Sequence, residues 1–307
     1  MKTRNKVSIF KSQKFRNSLA NTTIYVVLTI MSLIWLFPVV WLVSNAFRGE
    51  DPGVVPYLFP KVWSFEPFKI LFNDRFIESG QIKYLTWFFN TFIVAVFTMV
   101  LSTVVVLLTS YAFSRLRFKG RKMLMKLLMI LGMFPGFMSM IAVYFILKGI
   151  GLLPQSTEGV PVSNYLLALI LVYSGGAAMG YFVSKGYFDT ISKSIDEAAM
   201  IDGASRAQIF WHITLPLSKP IVIYTALTSF MGPWGDYIFV ATITKGEQSA
   251  WSIARGLYEM LNGVGMIGNY FTAFCAGAVL ISIPIVALFI FMQKYYVSGI
   301  TGGSVKG

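Results

Sequence analysis

The stretch EAAMIDGASRAQIFWHITLP, residues 197–216, is partly charged and lies between long apolar runs. It holds two acids, one arginine and the only histidine of the chain, His212. Just upstream, Ser194-Ile195-Asp196-Glu197 has the spacing of a capping box, in which a serine and a glutamate satisfy each other's free amides at a helix start. Asp196 and Glu197 also suit the positive end of a helix dipole. Ala198 to Ile201 extend that helix and Gly203 suits its end. Ser205-Arg206-Ala207-Gln208 repeats the capping pattern, Ile209, Phe210 and Ile213 form an apolar stripe, and Pro216 closes it. The segment is therefore expected to be two short helices joined at Gly203. Helices this short are unstable alone in water and must pack on something. The first is acidic, which anionic lipid repels, and Ala198 and Ala199 allow close approach. A knob facing another protein is the expected form.

The rest of the chain is oily. Of its 307 residues, 56% are hydrophobic and 13% charged, against about 25% charged in soluble domains. Uncharged windows recur at 17–47, 84–114, 127–147, 159–184, 220–235 and 260–293. A helix crossing the hydrocarbon needs roughly 20 apolar residues, and the fifth window falls short only because Asp236 interrupts it. Six spans are expected, near 22–43, 86–111, 126–147, 165–184, 221–243 and 270–292. Helices are expected because lipid offers the backbone no hydrogen-bond partner. The first span follows a basic segment, and Ser44-Asn45-Ala46 has a weak likeness to a cleavage site, but its apolar run exceeds the 7–15 residues of a signal peptide. It is read as a retained span. The single cysteine, Cys275, rules out an internal disulfide and is read as a packing residue.

The net charge of +13 is unevenly spread. With the amino terminus in the cytoplasm, residues 1–21 carry Lys2, Arg4, Lys6, Lys11, Lys14 and Arg16, and loop 112–126 carries Arg115, Arg117, Lys119, Arg121, Lys122 and Lys126. Loop 185–220 and the tail add further bases, whereas the opposite loops balance bases with acids. This positive-inside pattern places both termini in the cytoplasm, with the basic stripe facing anionic lipid headgroups; nucleic acid need not be invoked. The expected organisation is a basic cytoplasmic segment 1–21, a first span 22–43, an extracellular loop 44–85, a five-span core 86–292 containing the loop 185–220, and a cytoplasmic tail 293–307.

Polar groups within spans usually face a bundle interior or cavity, although serine and threonine also bond their own helix backbone. Asn90, Ser102, Thr103, Ser139, Tyr173, Ser174 and Asp236 are the candidates for a pathway. Asp236 lies 15 residues past Ile221, about 22 Å along a helix, where Gly232, Pro233 and Gly235 are expected to break the helix. It is either a proton or cation site or, as preferred here, a structural acid at the break. Gly176 and Gly180 form a GxxxG pattern suited to close helix packing, and Gly132 and Gly136 flank Pro135 at an expected kink. No GxxxxGK[ST] phosphate loop, no partner for His212 in a metal site and no disciplined pair of carboxylates occur, so no catalytic residue, metal or cofactor is expected.

The order E-A-A, three residues, G, nine residues, I-x-L-P is met by Glu197, Ala198, Ala199, Gly203, Ile213, Leu215 and Pro216. It resembles the signature of permease subunits of binding-protein-dependent ABC importers. Asn90-Thr91, the run Ser110 to Phe118 (SYAFSRLRF), Trp234-Gly235-Asp236-Tyr237 and the tail Gly302, Gly303, Ser304, Val305, Lys306, Gly307 are similar to the sugar-importing branch. The whole chain is similar to the MalG-type permeases of maltose and maltodextrin importers, and the run Phe134 to Met140 and the ending resemble Gram-positive versions. Gly235, where many relatives carry Asn, and the polar segment 154–164 depart from the pattern. The resemblance implies an all-α, six-span, type I importer fold in a bacterial cell membrane, a non-catalytic subunit, and a cytoplasmic helix from Glu197 to Gly203, Asp202 included, that docks in a cleft of an ATPase. Ser194, Ile213, Leu215 and Pro216 would support that loop, and the tail would reach the ATPase dimer. Loop 244–269 would enter the sugar cleft of a binding protein. The implied partners are a second, MalF-like permease, two ATPase copies and an extracellular sugar-binding protein. Maltodextrins are the first substrate class and galacto-oligosaccharides the second. The rival readings are an ion-driven secondary transporter using Asp236, and a membrane scaffold or sensor.

Overall fold

The computed structural model describes residues 13–73, 76–77, 80–81, 83–133, 136–155, 159–177, 180–262 and 269–304. Apart from a two-residue antiparallel ladder, β1 (Phe76–Ile77) on β2 (Gly80–Gln81), its regular structure among the described residues is helical. In chain order the helices are α1 (Gln13–Ala46), α2 (Glu66–Phe72), α3 (Tyr84–Arg115), α4 (Arg121–Gly132), α5 (Gly136–Gly149), α6 (Val162–Ala177) and α7 (Tyr181–Thr190). They continue with α8 (Lys193–Ile201), α9 (Arg206–Ile209), a π-turn (Phe210–Thr214), α10 (Leu215–Leu217), α11 (Lys219–Gly235), α12 (Ile238–Thr244), α13 (Ile253–Asn262) and α14 (Phe271–Ser304).

Three of these are long and apolar enough to cross a membrane as single rods: Asn17–Ala46 within α1, α3, and Phe271–Lys294 within α14. The other expected spans each fall on two helices among the described residues. The span expected at 126–147 falls on α4 and α5, with Pro135 and its expected kink outside the described residues. The span at 165–184 divides into α6 and α7. The span at 221–243 divides at Asp236-Tyr237: the helix runs through Gly232 and Pro233 and ends at Gly235, and α12 follows. α14 also continues past the expected boundary at 292, so the carboxyl-terminal segment is helical as far as Ser304.

α3 is the central rod. It packs against α11, α6 and α7, while α14 packs against α1, α11, α2 and α13. α1 leaves most of its apolar side chains exposed; Trp35 is 75% and Tyr25 69% exposed. Such a surface is unstable in water and stable against lipid or another apolar helix. Its last turn does pack: Ser44, Asn45 and Ala46 are buried, and Trp41 meets Phe271 with ring centroids 5.4 Å apart. The tripeptide with a weak likeness to a cleavage site is thus part of the core.

Three apolar clusters hold the bundle. One gathers Tyr84, Trp87, Trp234, Trp251, Phe271 and Cys275 around the start of α3. A second joins α5, α6 and α12 through Leu147, Leu169 and Val240. The third, at the other end of α3, contains Leu107, Tyr111, Phe188, Phe210 and Ile221.

The segment after α1 is locked by polar groups. Arg48 is buried and donates to Asn45 Oδ1 (2.7 Å), Asp51 O (2.9 Å) and Gly53 O. The amide of Thr272 donates to Pro52 O (3.1 Å), which ties this loop to α14. Glu50 accepts the amides of Lys61 (2.9 Å) and Val62 (3.0 Å) and the hydroxyl of Tyr57 (3.0 Å). Partial burial raises the carboxyl, but these donors and its own amide outweigh it and lower the group from 4.5 to about 2. A depressed carboxyl stabilises above its ordinary value and loses that contribution as the pH falls through the folded one. The loop is therefore expected to keep its order at pH 4 and lose it near pH 2. Limited pepsin digestion across that interval should show cleavage around exposed Phe59 rising only at the acid end, and Glu50→Gln should be cleaved throughout.

Candidate functional site

The helix expected from residue 194 begins earlier. Ser192, not Ser194, is the cap: its Oγ accepts the amide of Ser194 (3.3 Å), and Lys193 opens α8. Ser194 Oγ bonds Ser192 Oγ (2.7 Å) instead of closing a box with Glu197. Three closely spaced polar residues offered two possible registers, and the extended backbone of Ser192 (ψ 131°) selects the first. At the other end, Gly203 has φ +87°, its amide donates to Met200 O (3.1 Å), and the amide of Ala204 reaches Ala199 O (2.9 Å). This pair of bonds is a Schellman stop, for which glycine is suited because it lacks a Cβ.

α8 shows almost every side chain to the outside. Ile195, Met200 and Ile201 are exposed, Ile201 at 86%, with Glu197, Ala198, Asp202 and Gly203 exposed and Ala199 half-buried beside them. Asp196 is the exception. Its Oδ2 lies 3.0 Å from Nε of Arg115, the last residue of α3, and both side chains are nearly withdrawn from solvent. The Arg115 guanidinium also donates to Ile191 O (2.9 Å), just before α8.

The same stretch of α3 makes further ties. Ser110 donates to Tyr181 O (3.0 Å), Tyr111 to Arg206 O (3.2 Å), and Ser114 to Asp189 Oδ1 (2.6 Å), whose other oxygen takes the ammonium of Lys185. The Phe113 and Tyr181 rings lie 4.9 Å apart, and those of Tyr111 and Phe210 4.8 Å apart. The SYAFSRLRF run is thus the clamp that holds α7, α8 and α9. Sequence reasoning singled out this run by resemblance alone. The exposed acid of a capping box gave no sign that Asp196 would be buried against an arginine some 80 positions earlier.

The second capping box forms as expected: Ser205 Oγ accepts the Gln208 amide (3.3 Å), and Gln208 Oε1 accepts the Ser205 amide (2.8 Å). Ile209 and Phe210 are buried, Ile213 and Leu215 half-buried, and His212 exposed with Nδ1 3.1 Å from Gln208 O. Pro216 does not close the helix. The wide π-turn at Phe210–Thr214 gives the proline ring room and absorbs its missing amide, and helix continues to Leu217. The whole of Arg206–Leu217 then meets α11 at 83°.

The pathway candidates separate. Asn90 donates to Ser249 O (2.8 Å) and Trp251 O (3.1 Å), so its amide is spent on holding the segment before α13. Thr91 Oγ1 accepts the Ile253 amide (2.8 Å) and Trp87 Nε1 donates to Gln248 O (3.1 Å) in the same seam. Asp236 accepts the hydroxyl of Tyr173 (2.9 Å) and the amide of Phe239 (3.0 Å), and so caps the start of α12. Ser139 is exposed and donates to Gly136 O (2.7 Å) in its own helix. Tyr173 lies on a cleft bounded by α3, α6, α7 and α11, together with Thr98, Ser102, Ser184, Thr225 and Thr228. Thr98, Ser184, Thr225 and Thr228 were missed, because the sequence does not reveal which face of α3 meets which face of α11. Gly176 and Gly180 do not pack closely within this chain. They also line the cleft, where an added Cβ would meet nothing within 4 Å at Gly176 and only Val106 at 3.9 Å at Gly180. Of the expected tail contacts, Gly302, Gly303 and Ser304 fall in α14, and Val305, Lys306 and Gly307 lie outside the described residues.

The described residues form a bundle of apolar helices with an exposed, clamped helix at one end. Comparison with known proteins agrees. The model of the family of binding-protein-dependent transport system inner membrane components matches residues 105–302, and the chain belongs to that family, as a multi-pass, MalG-type permease subunit with the type I ABC importer fold. It is 39% identical over 284 residues to the galactooligosaccharides transport system permease protein GanQ of Bacillus subtilis (strain 168), covering 92% of this chain and 94% of that protein. It is 36% identical to the maltodextrin transport system permease protein MdxG of the same organism, covering 92% and 95%. With the maltodextrin transport system permease protein MalD of Streptococcus pneumoniae (strain ATCC BAA-255 / R6) it shares 34%, covering 96% and 99%. The fold is that of a chain in the crystal structure of a bacterial ABC transporter involved in import of the acidic polysaccharide alginate, with TM-score 0.71 and 22% identity over 94% of this chain and 100% of that one.

Breaking a buried ion pair on one side costs about 3–5 kcal/mol, while replacing both partners by apolar groups costs far less. Asp196→Ala is expected to lower the thermal unfolding temperature of the detergent-solubilised protein markedly. Arg115→Met combined with Asp196→Leu should recover most of the loss, and a double-mutant cycle on unfolding temperatures checks this.

Proposed function

We propose that this chain is one of two permease subunits in an ATP-driven importer of neutral oligosaccharides, maltodextrins first and galacto-oligosaccharides second. The observation that carries the reading is α8: an exposed helix with apolar Ile195, Met200 and Ile201 on its surface, held by a buried ion pair to the central rod. Glu197, Ala198, Ala199, Asp202 and Gly203 form the surface that enters an ATPase cleft. Ser194, Ile213, Leu215 and Pro216 support it from the flanks, and Gly302 to Gly307 make a second contact. ATP is bound and hydrolysed by a pair of partner ATPases, not by this chain. Their closure moves α8, and the clamp on α3 passes the motion into the bundle as a shift between two states. The names of the relatives support the sugar class.

The remaining partners are a MalF-like permease and an extracellular sugar-binding protein. A neighbouring structure, of the alginate transporter in complex with an alginate pentasaccharide-bound periplasmic protein, supports the second. In the bacterial cell membrane the basic loops 1–21 and 112–126 face the cytoplasm with both termini, and loop 44–85 and the segment 244–269 face outward, the latter toward the binding protein.

The test is a gentle-detergent pull-down of tagged chain from its native membrane. A nucleotide-binding ATPase and a second permease are expected to co-purify, with the binding protein trapped under turnover conditions. Gly203→Pro, Glu197→Lys and Ile201→Glu should insert normally yet bind the ATPase roughly thirtyfold more weakly, the scale of an interface hot spot. Recovery of the chain alone under conditions that preserve other importer complexes would refute the reading, and undiminished ATPase with all three variants would refute this docking surface.

A further inference from the structure

Just past the end of α1 the chain turns back on itself. The amide of Gly49 donates to Val62 O (3.0 Å) and that of Ser64 to Phe47 O (2.8 Å), with Arg48 and Trp63 opposite each other in an antiparallel bridge. This short pairing gathers aromatic rings. The Phe47 ring centroid lies 5.4 Å from that of Phe65, 5.1 Å from Phe68 and 6.4 Å from Trp63. Phe47 and Phe68 rest on the apolar cluster at the start of α3. Trp63 and Phe65 stand outside them, 61% and 68% exposed, with Val62 also exposed beside Trp63. Large apolar side chains grouped in this way are costly to leave in water.

Their place in the fold says what covers them. The apolar stretch Asn17–Ala46 is 30 residues long, about 45 Å at 1.5 Å per residue. A bilayer with its headgroups is about 40–45 Å thick. The end of α1 therefore lies near the headgroup level of one leaflet, and Phe47 follows directly. Val39, Val40 and Val43, in the last two turns of α1, still face outward, so the lipid-covered surface of the helix runs on toward the rings. Charge flanks the pair on both sides. Lys61 holds its ammonium 5.0 Å from the centre of the Tyr57 ring, and Glu66 pairs with Lys69 at 3.6 Å, both at the surface. Aromatic rings with neighbouring charge at the end of a spanning helix suit the boundary between acyl chains and headgroups. A soluble partner is a poorer fit. Aromatic side chains bury about 150–250 Å² each, so two of them fall well short of the roughly 800 Å² per side of a stable protein contact.

We propose that Trp63 and Phe65 form an interfacial membrane anchor, seated among the phospholipid headgroups of the leaflet in which α1 ends, with Lys61 placed for a lipid phosphate. The loop after α1 then lies on the membrane instead of standing in solution. Because the Thr272 amide bonds Pro52 O (3.1 Å) in the same loop, the anchor also sets the depth at which α14 begins. The inference rests on α1 crossing the membrane and is independent of the importer reading.

The experiment uses the full chain, with the subunits that co-purify with it, in phosphatidylcholine vesicles. The chain has seven tryptophans, so the Trp63 signal is the difference between wild type and Trp63→Phe, a change that keeps a ring in place. That emission should be largely lost in lipid brominated high on the acyl chains, lost less in lipid brominated near the methyl ends, and kept in aqueous iodide. Loss to iodide with no effect of brominated lipid would overturn the inference and leave the rings in solution for a soluble partner. Survival against both quenchers would overturn it in favour of burial by protein. A second position stands apart from the tryptophan substitution. With Cys275→Ala, a nitroxide on Phe65→Cys should relax faster with dissolved oxygen than with a water-soluble nickel chelate, and the reverse order would overturn the inference.

Discussion

Arg115 and Asp196 meet at 3.0 Å with little access to water, and the geometry at one end of the bundle follows from that contact. In such a setting the attraction between the charges does little more than offset the loss of their hydration. What the pair contributes is position. α8 is nine residues long, too short to persist alone, and Asp196 is its only buried side chain. A single charged contact therefore sets where the helix sits, while the carbonyl of Ile191, bound by the same guanidinium, sets where its chain begins. The remainder of α8 stays at the surface.

The opposite end of α3 is held differently. There the ties are mostly neutral: the Asn90 amide on two carbonyls, the Thr91 hydroxyl on the Ile253 amide, and the Trp87 indole on Gln248 O, with the Lys83 ammonium on Ser249 Oγ beside them. α13 lies close enough that a side chain at Gly256 would run into the Trp87 ring. This end is a packed seam. The two ends of one helix thus serve contrasting purposes, a seam that closes the core and a clamp that displays a neighbour.

The sequence made the apolar helices, the Ser205–Gln208 box and the Gly203 stop legible because each depends on residues within one or two turns. It misplaced what depends on distant residues. Ser194 looked like the cap, and the extended backbone that makes Ser192 the cap instead is not visible in the sequence. Asn90 looked like a pathway residue because polarity within a span has two explanations, and Ser249 and Trp251, which decide between them, are about 160 positions away. Gly176 and Gly180 looked like a packing motif, yet the pattern records only the absence of side chains and not what fills the space. Thr98 was passed over because one threonine in an apolar run is unremarkable until its neighbours across the cleft are known. The break near Asp236 was visible as residue chemistry, but hydropathy alone drew a smooth span across it.

Among the long spanning rods, α1 contains Pro38 and α14 contains Pro284, but Tyr84–Arg115 contains neither proline nor glycine. Kinks arise at such residues or at inserted turns, so α3 lacks the usual places to bend. Thr98 and Arg115 stand 17 residues apart on it, about 25 Å at 1.5 Å per residue. The Asn90 seam and the Arg115 clamp are therefore held at a set separation by one unbroken rod.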